Sequence, residues 1–238
     1  MVIDGFTVIG GWPGLPDDHP VEQLIEGLDR YKLNYACAVS ANSIFLDARG
    51  GNQATLAACR QDKRLIPIGV ADPRVNGAEQ VEACVQQGVR LMALFPASQG
   101  WSFSTLLAKS TLQRLAAANL PVFIEVAGEG AASEILRVTS DYPMPVILLD
   151  VNLYTLAEAV SVMIARPQTY ITTRLLCGGD TIEYLAQRVG AEHIVFSSRY
   201  PVSCFSAAFL TAKFASLSND DRNAVMGGNL AGLLGRPA

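Results

Sequence analysis

Glu125, Asp150, Asn152, Arg174 and Arg199 are the residues of this chain best placed to do chemistry, since each ends or follows a short β-branched run. Ser197, Ser198, Thr172 and Thr173 stand beside them. Carboxylates and guanidinium groups brought together allow three outcomes. A carboxylate whose pKa is raised by burial or a like-charged neighbour can act as a general base, a role open to Glu125 or Asp150. A guanidinium offers a planar fork of donors, so Arg174 or Arg199 could hold a small anionic ligand by its carboxylate. The same charges would also serve as an internal ion pair that fills a closed site. Removing one member of a buried pair costs about 3–5 kcal/mol, so such residues are expected to find partners. Trp101, in the run Gln99-Gly100-Trp101-Ser102-Phe103, would either line a ligand pocket or cover its rim.

Other reactive side chains are few. The chain has only two histidines, His19 and His193. His193 begins a β-branched run and reads as structural, whereas His19 lies beside Asp17 and Asp18 just ahead of a helix. A Ser-His-Asp or Cys-His system would need one of them, and no GxSxG supports it. Cys177 precedes a helix start, where a thiol pKa can fall, but a thiol merely exposed in a loop is the simpler reading. The five cysteines show no CxxC spacing, which fits reduced thiols in a cytoplasm better than disulfides or a zinc framework.

Positioning these residues falls to eight β-branched runs, at 2–8, 34–40, 65–70, 90–95, 121–126, 145–151, 169–174 and 194–199. Helical patterns alternate with them at 20–31, 52–61, 78–87, 111–118, 131–141, 156–165, 181–189 and 205–215. In the seventh of these, Ile182, Leu185, Ala186 and Val189 form one apolar stripe. Gly88, Gly128 and Gly190 fall where helices stop or strands end, positions suited to positive φ. Strict β-α alternation implies a parallel sheet, and eight units invite closure into a (β/α)₈ TIM barrel. An open doubly wound sheet would carry a phosphate-binding turn after its first strand, and Gly10-Gly11-Trp12-Pro13-Gly14 makes a poor one. The reading is one barrel domain over 1–238, with the polar residues above at the C-terminal strand ends where barrel sites form.

With 50% hydrophobic and 17% charged residues, the chain has material for a large core. A net charge of −4 without a Lys/Arg cluster argues against nucleic acid as a partner. No apolar run reaches the length of a membrane span, so no membrane partner is expected. A cytoplasmic location is expected.

Several segments together resemble the amidohydrolase-related family of TIM barrels. Val2-Ile3-Asp4-Gly5-Phe6-Thr7-Val8 is similar to its opening strand, Gly51-Asn52 to its second helix, and Leu65-Ile66-Pro67-Ile68-Gly69-Val70-Ala71-Asp72-Pro73-Arg74 to its third strand. The run Val189 to Pro201 resembles its "VGADRVLFGSDYP", and Met226 to Gly235 its closing "ILGGNAARLLG". The resemblance implies a metal-dependent hydrolase, but its metal positions are otherwise occupied. The paired histidines of the first strand fall on Phe6 and Val8, and the fourth-strand "KLHP" on Ala93-Leu94-Phe95-Pro96. The fifth-strand histidine falls on Glu125, the sixth on Asp150 within a residue or two, and the eighth-strand aspartate on Arg199. No family ligand is carried over, so no metal and no cofactor are expected.

In the metal's place, Arg199 is expected to supply positive charge, forked onto Glu125 and also reaching Asp150. Arg174, Asn152, Trp101 and Ser197 would line the ligand side. Two functions follow: a non-catalytic barrel that binds a small molecule or a protein partner, or a metal-independent hydrolase or lyase acting on a small carboxylate substrate. A homodimer is a further expectation, since Ala207, Ala208, Leu210 and Phe214 would suit a dimer face as well as the barrel's own packing.

Overall fold

The structure is a computed structural model and describes residues 1–235. Its strands are β1 (Ile3–Ile9), β2 (Tyr35–Ser40), β3 (Leu65–Pro67), β4 (Gly69–Val70), β5 (Met92–Leu94), β6 (Val122–Glu125), β7 (Val146–Leu149), β8 (Thr169–Thr172) and β9 (Ile194–Val195). All ladders are parallel, β1-β2-β3 in one sheet and β4 through β9 in the other. β3 and β4 are two pieces of one barrel strand, joined at Ile68. There Ile68 N donates to Ala38 O on one side and Gly69 N to Leu91 O on the other, both at 2.9 Å. The opposite seam closes through Gly5 N to Phe196 O at 2.9 Å and Arg199 N to Phe6 O at 2.8 Å. Eight barrel strands therefore form a closed (β/α)₈ ring.

Side-chain parity divides the core into two shells, as alternation along strands requires. Phe6, Val8, Cys37, Val39, Ile66, Ile68, Ala93, Phe95, Phe123 and Ile147 pack inside the barrel. Ala36, Ala38, Met92, Leu94, Val122, Ile124 and Leu148 face outward under the helices. Inside, Phe6 lies 5.8 Å from Phe123 and 6.1 Å from Phe95, ring centre to ring centre.

The helices are α1 (Val21–Tyr31), α2 (Ala41–Phe45), α3 (Ala48–Cys59), α4 (Gly77–Gln86), α5 (Pro96–Gln99), α6 (Leu106–Ala118), α7 (Ala131–Thr139), α8 (Leu156–Ala165), α9 (Thr181–Val189), α10 (Phe205–Phe214), α11 (Asn219–Asn223) and α12 (Asn229–Leu233). Two start earlier than their apolar pattern suggests. α3 begins at Ala48 because the Asp47 carboxylate caps it, accepting from Arg49 N and Gly50 N. α6 begins at Leu106, and Leu106 and Leu107 stay exposed, so its first turn carries no buried stripe. The short α2, α5, α11 and α12 are too brief to leave a periodic signal. Gly88, Gly128 and Gly190 take φ of 81°, 121° and 94°, as their positions suggest.

The family-like motifs have local physical reasons. A Cβ on Gly51 would lie 2.2 Å from Ser43 N, so only glycine lets α3 approach α2 this closely. The next residue, Asn52, clamps the third barrel strand with two bonds of 2.8 Å, to Val70 O and from Val70 N. At the closing segment, Asn229 Nδ2 donates to Ala191 O and Ile194 O, both at 2.8 Å, and so fixes the start of β9. On α10 the dimer expectation meets a mixed face: Ala208 is buried, whereas Ala207, Leu210 and Phe214 are exposed. No helix among the described residues is long and apolar enough to cross a membrane.

Candidate functional site

At the C-terminal ends of the last three strands stands a three-residue charge cluster. Asp150 Oδ1 accepts from Arg174 Nε at 2.9 Å and Nη2 at 2.6 Å. Its other oxygen accepts from Arg199 Nη2. The three side chains are only 10%, 13% and 14% exposed for Arg174, Arg199 and Asp150. Asp150 and Arg199 both adopt left-handed backbone conformations, φ 67° and 60°, which non-glycine residues rarely take. Such conformations persist only where surrounding structure enforces them. The Arg199 guanidinium lies 4.8 Å over the Trp12 ring, and Trp12 in turn meets Phe45 edge-on. Burial pulls the Arg199 guanidinium below its usual pKa; Asp150 offsets that and Arg174 adds to it.

Glu125 does something else. The expected fork from Arg199 to Glu125 is not formed. The Glu125 carboxylate instead accepts from Ala97 N at 3.0 Å, Ser98 N at 2.9 Å and Ser98 Oγ at 2.5 Å. Those amides are the free donors at the start of α5, a helix too short for its periodicity to be seen. Asp150 takes Arg199 because the left-handed turns at both residues bring the two side chains together.

The other expected lining residues make no hydrogen bond to the cluster. Asn152 Oδ1 accepts from Tyr154 N at 2.9 Å, stabilising the turn before α8. The Trp101 indole N donates to Gln99 Oε1 at 2.8 Å, and its ring packs on Phe103 and the outer core. Trp101 therefore covers the rim and does not join the charge cluster. Ser197 is fully buried and its hydroxyl has no protein partner, as is true of Arg199 Nε. Thr172 and Thr173 tie neighbouring strands through Leu148 O and Ser197 O. His193 bonds Thr169 O at the opposite end of the barrel, and His19 Nδ1 pairs with Gln23. Cys177 is exposed, with its thiol on Arg174 O.

Two residues escaped the sequence reading. Trp12 was visible only as part of a failed phosphate turn; an aromatic in the first strand-to-helix loop of a barrel was the available signal. Asp4 is completely buried, and burial pushes its carboxyl up to about 7 against the bonds it receives from Ser198 and Phe6 N. Nothing in a sequence marks a strand aspartate as buried.

Two cavities lie away from the Asp150–Arg174–Arg199 cluster. One of about 220 Å³ sits over the loops after the second, third and fourth strands, lined by Ser43, Asp47, Asp72, Arg74, Ser98 and Gln99. A larger groove of about 460 Å³ lies on the flank between α3 and α4 and reaches Asp47, Val75 and Asn76 in the loops after the second and third barrel strands.

The donors at the mouth do not fit a divalent metal. Phe6, Val8 and Phe95 fill the inward positions where the resemblance places nitrogen ligands, and their side chains bring no donor atom. Glu125 is committed to α5 and Asp150 to two cations. Among the described residues no group of three or more His, Cys, Asp or Glu could hold a metal ion.

Among solved structures, the chain is similar to a dihydroxybenzoic acid decarboxylase from a Polaromonas species with bound manganese and the inhibitor 2-nitroresorcinol. That match has 14% identity and a TM-score of 0.80, covering 98% of this chain and 96% of the other. It is also similar to a probable 2-pyrone-4,6-dicarboxylic acid hydrolase from Acinetobacter baumannii with citric acid bound, at 16% identity and a TM-score of 0.77, covering 98% and 99%. A third likeness is to a TIM-barrel protein from Bordetella bronchiseptica, at 17% identity and a TM-score of 0.75, covering 99% of both chains. At these identities the likeness speaks for the fold. A search of curated proteins finds no match. The model of the amidohydrolase family matches residues 9–236. With closed barrel, opening strand and closing motif all in place, the chain belongs to the amidohydrolase family.

Proposed function

We propose that this amidohydrolase relative works without the family's metal, as a non-catalytic barrel whose mouth binds a small carboxylate-bearing molecule. The observation that carries this is the sharing of one carboxylate, Asp150, by two guanidinium groups, Arg174 and Arg199. Within the bonded cluster two cations share one anion, while Glu125, whose charge reaches Arg199 only through space, has its carboxylate oxygens held by the amides of α5. A planar anion meets the remaining guanidinium donors there, and Trp12 offers a flat face beside Arg199. The names of the similar structures, with citric acid bound to one and a hydroxybenzoic acid acted on by another, support a carboxylate as the ligand class.

The test is calorimetric titration of citrate and of 2,6-dihydroxybenzoate into the protein after chelation. Binding of at least one is expected, weakened about tenfold or more in Arg199→Met, the equivalent of roughly 1.4 kcal/mol. Unchanged affinity in Arg199→Met and in Arg174→Met overturns the assignment. Turnover by the chelated protein would favour the other reading, a metal-independent hydrolase or lyase. Elemental analysis is expected to find no stoichiometric zinc, iron or manganese. Near one equivalent, lost on mutating Glu125 and Asp150, would refute the metal-free reading.

A further inference from the structure

Asp4 lies in the first strand, yet its bonds reach the end of the last. Its Oδ1 accepts from Ser198 N at 3.0 Å and from Phe6 N at 3.3 Å. Its Oδ2 accepts from the Ser198 hydroxyl. That same hydroxyl oxygen accepts from Tyr200 N at 2.9 Å. Arg199, between them, donates its own amide to Phe6 O at 2.8 Å. Three consecutive amides, of Ser198, Arg199 and Tyr200, are thus anchored on the first strand, directly or through Ser198. The residue in the middle is the one held at φ 60°. Asp4 and Ser198 are fully buried, so water does not compete for these bonds. A barrel seam needs only strand pairing. A buried carboxylate that replaces part of that pairing exceeds the requirement and costs desolvation.

We propose that Asp4 is a positioning residue which, through Ser198, sets the backbone of Arg199 so that its guanidinium lies between Trp12 and Asp150. It touches no ligand itself; it fixes the direction of the side chain that would. The inference deepens the carboxylate-binding reading, but the geometry it concerns does not depend on any ligand. Its test is built accordingly.

Trp12 provides the readout, because the Arg199 guanidinium sits over its ring. Trp12 and Trp101 are the only tryptophans, so a Trp101→Phe background isolates the signal. In that background Arg199→Met defines the full change in Trp12 emission and in its quenching by acrylamide. Ser198→Ala and Asp4→Asn are each expected to produce at least half of that change, well below their melting temperatures. Asn229→Ala, which loosens the opposite end of the barrel, should lower the melting temperature and leave Trp12 emission as it was. Folded Ser198→Ala and Asp4→Asn proteins with parental Trp12 emission would overturn the proposal. If Asp4→Asn does not fold, Ser198→Ala decides, since it deletes one oxygen and leaves the strand intact. Citrate titration of the same variants separates the two ideas. Altered Trp12 emission with no citrate binding in any protein would sink the ligand reading and leave the positioning role standing.

Discussion

The two ends of this barrel have been treated differently. At the closed end, family-like residues do the work their types suggest. Asn229 bonds two carbonyls at the start of the eighth barrel strand, and a Cβ on Gly227 would come within 2.9 Å of Ile3 N. At the open end, the corresponding family positions hold Phe6, Val8, Phe95 and Arg199, and the backbone is held in left-handed conformations at Asp150 and Arg199. Two buried polar atoms there, Ser197 Oγ and Arg199 Nε, have no protein partner. Left-handed residues and unpartnered buried polar atoms occur elsewhere in the barrel too, as at Lys32, Asn119 and Arg222 Nε, so what sets the mouth apart is that its left-handed residues carry the bonded charges of Asp150 and Arg199. That is where a binding role is to be sought.

The sharpest way to break that contrast is at Asp150. Asp150→Ala leaves two largely covered guanidinium groups without their shared partner and is expected to cost about 3–5 kcal/mol in urea denaturation. A cost under about 1 kcal/mol would mean that the cluster is solvated and the mouth unstrained. Next comes pH. Asp4 has a raised pKa in the folded protein, so its contribution is fully present below about pH 4 and is lost as pH rises through about 7. At about 1.4 kcal/mol for each pH unit of that window, the loss is of order 4 kcal/mol at most. Melting curves of Asp4→Asn should lack this slope between pH 4 and 7; an unchanged slope would assign it to other groups.

Asn229→Ala is expected to be milder, about 1–3 kcal/mol, because it strips the donor from two carbonyls without leaving a charge. It should not alter citrate affinity, and a loss of affinity would dissolve the distinction between the two ends. The smallest effect expected is a weak coupling. In a cycle of Glu125→Gln with Arg199→Met, the coupling should stay under about 1 kcal/mol, since the pair interacts through space with no bond joining it. A coupling above about 2 kcal/mol would restore the fork from Arg199 to Glu125.

How far the sequence speaks depends on which force sets each feature. Strands buried on both faces leave continuous apolar runs, so all eight barrel strands could be placed from the chain alone. The family motifs were legible for the same reason, as Asn52 and Asn229 act through backbone groups whose positions the fold dictates. The charged residues of the mouth were found and Arg199 reaches Asp150 as expected, but its fork onto Glu125 is not formed and the Arg174–Asp150 pair was not foreseen. Whether Arg199 meets Glu125 or Asp150 turns on two left-handed residues and on a four-residue helix, none of which leaves a periodic trace. Asp4 was visible only as a letter of the opening motif, because burial depends on what the last strand lays against it.

The three-ring cluster of Phe6, Phe95 and Phe123 also bears on which substitutions this mouth can accept. A histidine introduced alone at position 6 or 8 would enter a space already packed with aromatic carbon, and no second ligand would await it. Each single substitution toward a metal-binding mouth therefore loses packing and buries an unpaired polar ring before any coordination is gained. Assembling a ligand set here would take several simultaneous replacements. The cluster works as a lock on the core: no one-residue change both keeps its packing and begins a metal site.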